Sequence, residues 1–125
     1  MAGLKMAVIE GGCFCGAIRY EFESGDYPVA NCHCSMCRKT SGAPFVTWAV
    51  VPKDVFSYTS GSPTELQSSK AGTRYFCGKC GTPVVCVSSK HPGIVDITVG
   101  SLDHPQDFAP TMEVFEDSKL HWIKP

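Results

Sequence analysis

Seven cysteines in three short runs carry most of the chemistry legible in this sequence. Cys13-Phe14-Cys15 and Cys77-Gly78-Lys79-Cys80 each bring two sulfurs together on a tight turn, with Gly16, Gly78 and Gly81 supplying permissive backbone angles. Each pair is half of a tetrahedron. A structural zinc takes four thiolates at about 2.3 Å, so Cys13, Cys15, Cys77 and Cys80 are expected to close one site between distant parts of the chain. Metal-binding energy would then appear as folding energy, and removing the metal should unfold the domain.

The run Cys32-His33-Cys34-Ser35-Met36-Cys37 differs, because it offers three thiolates within six residues and no evident fourth. Catalytic zinc sites commonly use three protein ligands and keep the fourth position for water or substrate, so Cys32, Cys34 and Cys37 read as an open, chemically active site. The competing reading is a second closed site completed by Cys86 or by a histidine. Cys86 sits in the apolar run 83–87, where a buried cysteine acting as a small hydrophobe is the blander expectation. His33 lies between two ligands, so its ring is expected to point away from the metal, in a supporting or surface role. His91, His104 and His121 stand in turn-like or terminal sequence and are expected to be solvated.

Whether eight cysteines mean metal or disulfides depends on compartment. Residues 1–10 hold one lysine and a short apolar patch broken by Glu10, without the pattern of a secretory leader. No stretch approaches the roughly 20 apolar residues of a membrane span. A soluble, cytoplasmic setting is therefore expected, in which thiols stay reduced and bind metal. The net charge of −1 gives no field for nucleic acid or anionic lipid. Seven zinc-bound thiolates on two zinc ions would take that charge to about −4. Arg38, Lys39, Arg74 and Lys79, beside the ligands, would offset it or simply be solvated surface charge.

The elements that must position these runs read as β. Apolar and polar residues alternate over 17–23, and residues 45–51, 55–59, 72–76, 83–87, 94–99 and 113–115 are further strand candidates, separated by Gly and Pro turns. A helical turn is expected only over 34–40, stopped by Ser41-Gly42. With 125 residues, no repeat and no flexible linker, the sequence is expected to form one domain, residues 1–125.

Taken together and in order, Gly11-Gly12-Cys13-Phe14-Cys15-Gly16, Cys32-His33-Cys34-Ser35-Met36-Cys37-Arg38-Lys39 and Phe76-Cys77-Gly78-Lys79-Cys80-Gly81-Thr82 resemble the glutathione-dependent formaldehyde-activating enzyme family, which also includes centromere protein V. The resemblance implies two zinc ions: a structural one on Cys13, Cys15, Cys77 and Cys80, and a catalytic one on Cys32, Cys34 and Cys37. It implies an all-β fold of small antiparallel sheets around the zinc sites, a β-tent with little helix. It also implies carbon–sulfur lyase or synthase chemistry on a small thiol adduct, forming or cleaving S-(hydroxymethyl)glutathione. A thiol in the open position would lose its proton to the metal's influence and become a nucleophile near an aldehyde carbon, without need of a strong base. Arg38 and Lys39 would be placed to meet a glutathione carboxylate. Two other functions fit the same cysteines: a binding module in which both zincs are structural, and a metal carrier using the exposed trithiolate. The lack of a basic patch argues against chromatin as the partner.

Overall fold

The computed structural model describes residues 7–124. The N-terminal stretch read above for a leader therefore falls largely outside the described residues, as does residue 125. Ten strands form two sheets. Three of them, β1 (Val8–Gly12), β2 (Arg19–Glu23) and β5 (Phe56–Ser60), make a small antiparallel sheet. The other seven are β3 (Val29–Cys32), β4 (Val46–Pro52), β6 (Thr64–Gln67), β7 (Gly72–Phe76), β8 (Pro83–Ser88), β9 (Ile94–Thr98) and β10 (Met112–Val114). They run side by side in the order β10-β3-β4-β9-β8-β7-β6. The fold is mostly β, as expected, with a single α-helix among the described residues, α1 (Ser35–Ser41).

Two features refine the expected picture of small antiparallel sheets. The main sheet is large, and its β10–β3 pair is parallel, Met112 lying beside Ala30 and Val114 beside Cys32. The expected strands all form, shifted by one or two residues at their ends. Three strands were not expected. β3 is four residues long, and β6 is exposed at every position on the sheet edge, so neither leaves a clear alternation to read. β1 overlaps the end of the N-terminal apolar patch and carries no strand period of its own. The helix begins one residue later than expected because Cys34 is its N-cap, extended at φ −65° and ψ 153° and accepting the Cys37 N–H with its sulfur. It ends at Gly42, left-handed at φ 71°.

The central strand β4 shows how one sheet serves two purposes. Successive side chains of a strand point to opposite faces. Ala49 and Val51 face the main core with Tyr20, Phe22, Val84 and Ile97, whereas Val46 and Trp48 face a second, smaller apolar cluster that contains Cys32 and Cys37. β7, β8 and β9 divide the same way. Tyr75, Val85, Val95 and Ile97 belong to the core side, while Arg74, Cys86 and Asp96 emerge on the other. Burying this many aliphatic and aromatic side chains, at about 1.5–3 kcal/mol each, is the main stabilisation of the fold apart from any metal.

Candidate metal centres

Two groups of cysteine sulfurs converge among the described residues: Cys13, Cys15, Cys77 and Cys80 in one, Cys32, Cys34 and Cys37 in the other, each within 4.8 Å. All eight cysteines are free. Spacing in the sequence groups the same seven in the same two sets.

The four-sulfur group is built from two matching knuckles. Cys13 N–H donates to the Ile18 carbonyl at 3.0 Å, and Cys77 N–H to the Thr82 carbonyl at 3.0 Å, so each turn is closed across the same number of residues. Inside each, a glycine N–H returns to the first cysteine's carbonyl, Gly16 to Cys13 at 3.1 Å and Gly81 to Cys77 at 2.8 Å. Gly16 and Gly81 stand at φ 83° and 87°, where a side chain would be strained; Gly78 does not adopt such an angle. Backbone donors also reach the sulfurs: Ile18 N–H to Cys13 Sγ at 3.2 Å and Cys80 N–H to Cys77 Sγ at 3.4 Å. The Thr82 hydroxyl joins the knuckles, accepting from Phe14 N–H at 3.0 Å and lying 3.3 Å from Cys80 Sγ. That hydroxyl, with nearby N–H groups, pulls the Cys80 thiol down to about 5.

The sulfur spacing fits a metal. A tetrahedron with bonds of about 2.3 Å has edges of about 3.8 Å. Cys13 and Cys15 lie 3.6 Å apart, and Cys15 and Cys77 3.7 Å. Cys13 and Cys77 are at once ligand candidates and members of the main core, so a metal here would fasten β1 and β7 into it.

The three-sulfur group has a different setting. Cys32 ends β3, Cys34 caps α1 and Cys37 lies one turn into the helix, so a strand end and a helix start fix the triangle. Cys32 and Cys34 are 3.5 Å apart, Cys32 and Cys37 3.0 Å. A tetrahedral thiolate metal would fit after the closer pair opens by less than about 1 Å. No fourth Cys, His, Asp or Glu atom among the described residues joins this group. Cys86 lines the same cleft without entering the triangle, half-buried, and burial raises its thiol to about 11.

The triangle opens into a cleft of about 410 Å³. Strand register builds one wall of it: Arg74, Cys86, Asp96 and Val50 are direct neighbours across β7, β8, β9 and β4. The Arg74 guanidinium sits over the Trp48 ring at 6.0 Å, is held by Ser68 Oγ at 3.0 Å, and aims Nη1 and Nη2 at Cys37 Sγ from 3.8 and 3.7 Å. Cys37 is held down to about 5 by its hydrogen bond with Cys32 and further by Trp48, Cys34 and Arg74, while Cys32 moves up. Burial raises the Asp96 carboxyl to about 6. At the rim, Phe115 adopts a left-handed backbone at φ 56° and ψ 45°, the only non-glycine residue among those described with a positive φ. That conformation costs an aromatic residue on the order of 1–3 kcal/mol.

His33 is the least anticipated feature. It is 1% exposed, its ring lies 5.2 Å from that of Phe45, and Nε2 meets Glu113 Oε1 at 2.6 Å. Glu113 also accepts from Asn31 at 2.9 Å, and Asn31 accepts from Thr47 at 2.6 Å. The ring thus points away from the sulfurs, and it is buried, not on the surface. It ties the ligand loop to β10, whose pairing with β3 no local signal foretells. His91, His104 and His121 are exposed. Arg38 donates to the Ser118 carbonyl at 3.2 Å and Lys39 is exposed; neither lines the cleft, whose cations are Arg74 and Lys90.

The sequence model of the glutathione-dependent formaldehyde-activating enzyme family matches residues 8–118. A putative glutathione-dependent formaldehyde-activating enzyme of Halomonas elongata is 25% identical, the match covering 94% of this chain and 80% of that one. An uncharacterized lyase of Schizosaccharomyces pombe is 31% identical over 62% of this chain and 56% of its own length. Among solved structures, a Rhodobacter sphaeroides protein superposes with a TM-score of 0.69 at 25% identity, covering 84% of this chain and 99% of that one. No helix among the described residues is long and apolar enough to cross a membrane.

Proposed function

Because the chain belongs to the glutathione-dependent formaldehyde-activating enzyme family, we propose that it is a single-domain, zinc-dependent carbon–sulfur lyase or synthase acting on a small thiol adduct. By family and by a relative named as a lyase, S-(hydroxymethyl)glutathione is the reference substrate. One observation carries the reading: the Cys32, Cys34 and Cys37 sulfurs form a three-ligand group lining a cleft, whereas Cys13, Cys15, Cys77 and Cys80 form a set of four.

In this reading Cys13, Cys15, Cys77 and Cys80 hold a structural zinc, and Cys32, Cys34 and Cys37 a catalytic one. Bound there, zinc would supply a Lewis acid that favours the thiolate form of an entering thiol and of a departing one. The chain's own residues set the terms. Three thiolates on a divalent ion leave the site at about −1, and Arg74 lies against Cys37 to offset that charge. Donation from Arg74 to Cys37 and from the Cys37 N–H to Cys34 draws electron density from those two sulfurs, and would so leave a metal held by them a better Lewis acid. Trp48 and Val50 keep water from that side of the cleft. Asp96, whose carboxyl is raised by burial, is the one acidic side chain lining it, and a group near neutrality there can hold or release the proton of a hemithioacetal hydroxyl. A cytoplasmic setting, where cysteines stay reduced, is part of the proposal.

Cobalt-substituted protein titrated with glutathione tests it. Sulfur-to-cobalt charge-transfer absorption should rise by the contribution of one added thiolate. If neither glutathione nor a small aliphatic thiol changes the spectrum, the open-site reading is wrong, and the binding-module or metal-carrier alternatives take its place.

A further inference from the structure

The lining of the trithiolate cleft says more about its ligand than the three sulfurs do. Met36, Val50, Val87, Met112, Val114 and Phe115 make its walls and mouth. Eight large apolar side chains are exposed among the described residues, and three of them, Met36, Met112 and Phe115, ring this one opening. Phe115 is 60% exposed and is held there by the single left-handed non-glycine backbone described above. Solvent-facing apolar groups gathered at one mouth mark a surface that a ligand covers.

The charges point the same way. Arg74 is engaged by Cys37 and Ser68. Asp96 stands in the same cross-strand row as Arg74, two strands away with Cys86 between them, so the cleft already holds one acidic group and one cation on that row. Lys90 is exposed on the lining and makes no ion pair among the described residues. Glutathione carries two carboxylates and an ammonium on a polar backbone, and laying it along methionine, valine and phenylalanine would strip water from groups that find few partners.

Resting on the reading that a thiol enters the open position, we infer that the preferred thiol has an uncharged hydrocarbon body of several carbons and a single acidic end. The sulfur sits over Cys32, Cys34 and Cys37, the hydrocarbon lies against the Met36, Met112 and Phe115 mouth, and the acid meets Lys90. Glutathione, in this account, is a poor fit to the walls of a site whose floor accepts its sulfur.

Calorimetric titration of the zinc-loaded protein with 6-mercaptohexanoate and with glutathione tests this directly. The mercaptoacid should bind at least about tenfold more tightly, the equivalent of burying two methylene groups. Phe115→Gly, which relieves the left-handed strain while removing the ring, and Met112→Thr, on an exposed short strand, should each lower that affinity several-fold, by more than they lower the affinity for glutathione, and leave zinc content unchanged. Because these variants keep the thiol constant, they separate contact with the mouth from differences in thiol basicity. Lys90→Gln should remove the preference for 6-mercaptohexanoate over 6-mercaptohexanol. Glutathione binding as tightly as the mercaptoacid, or affinities indifferent to Phe115 and Met112, would overturn the inference while leaving thiol entry intact. Failure of every thiol to bind would overturn both.

Discussion

The two cysteine groups share thiol chemistry yet sit in unlike surroundings. Cys13 and Cys77 are embedded in the main core, and their knuckles close on themselves through the same backbone pattern twice. Cys32 and Cys37 belong to a separate, smaller cluster, their triangle spans the junction of a strand and a helix, and one side faces a cleft. Four ligands from two places cross-link; three ligands from one place cannot. A site that holds distant segments together is bound to stability, whereas a local site can lose its metal with the fold largely in place. In the proposed function, what separates a structural site from a catalytic one is the span of chain the ligands would join, together with their number.

The sharpest way to break that comparison is to remove one sulfur from each group. Cys80→Ser should abolish cooperative unfolding and release zinc, because a cross-linking zinc can contribute on the order of 10 kcal/mol of apparent folding energy. Circular dichroism with metal analysis reads it. Cys37→Ser should release one zinc per chain, eliminate activity, and leave a cooperative melt weakened by only about 1–3 kcal/mol, the scale of a buried thiol made polar. Equal unfolding by both would erase the distinction.

A subtler asymmetry concerns charge. Arg74 serves only the three-sulfur group, so Arg74→Met should weaken zinc retention there by roughly tenfold, in line with loss of a charge-assisted hydrogen bond, without touching the other site. Chelator competition, in which the two zincs leave at separate concentrations, would show whether the second site shifts alone. A shift of both would mean that Arg74 acts through the fold.

The smallest expected effect lies at the tether of the ligand loop. His33 holds the Glu113 carboxyl below its usual range. A carboxyl whose folded pKa is lowered adds stability above the ordinary carboxylate value, and that stability is lost as pH falls through the lowered one. Stability should therefore decline on the acid side of about pH 4.5, the ordinary glutamate value. Glu113→Gln should flatten that part of the curve, measured by denaturant unfolding at a series of pH values. Because Glu113 is substantially solvated, the change should be under about 1 kcal/mol.

Much of the site was legible because its ligands are local. Cys13 with Cys15, Cys77 with Cys80, and the Cys32, Cys34 and Cys37 run announce themselves by spacing, and the alternation around Tyr20 and Phe22 announces a strand. What sequence could not supply was register. Arg74, Cys86 and Asp96 are separated by up to twenty-two positions and become neighbours only when β7, β8 and β9 pair, so their cleft has no local signature. Arg74 was visible as a cation near ligands, but its aim at Cys37 was not. The same holds for His33: a residue between two ligands is easy to notice, whereas its partner Glu113 arrives from the far end of the chain on a parallel strand. β6, exposed along its whole length and carrying no apolar alternation, owes its existence to an available sheet edge and not to its own composition.

X-ray absorption at the zinc edge addresses the division into four and three most directly. For the zinc-loaded protein the account predicts an average of about 3.5 sulfurs per zinc with a light atom making up the remainder, rising to about four when a small thiol is added. An average of four sulfurs before any thiol is present would show that Cys86 or another thiolate already closes the second site, and would contradict the account.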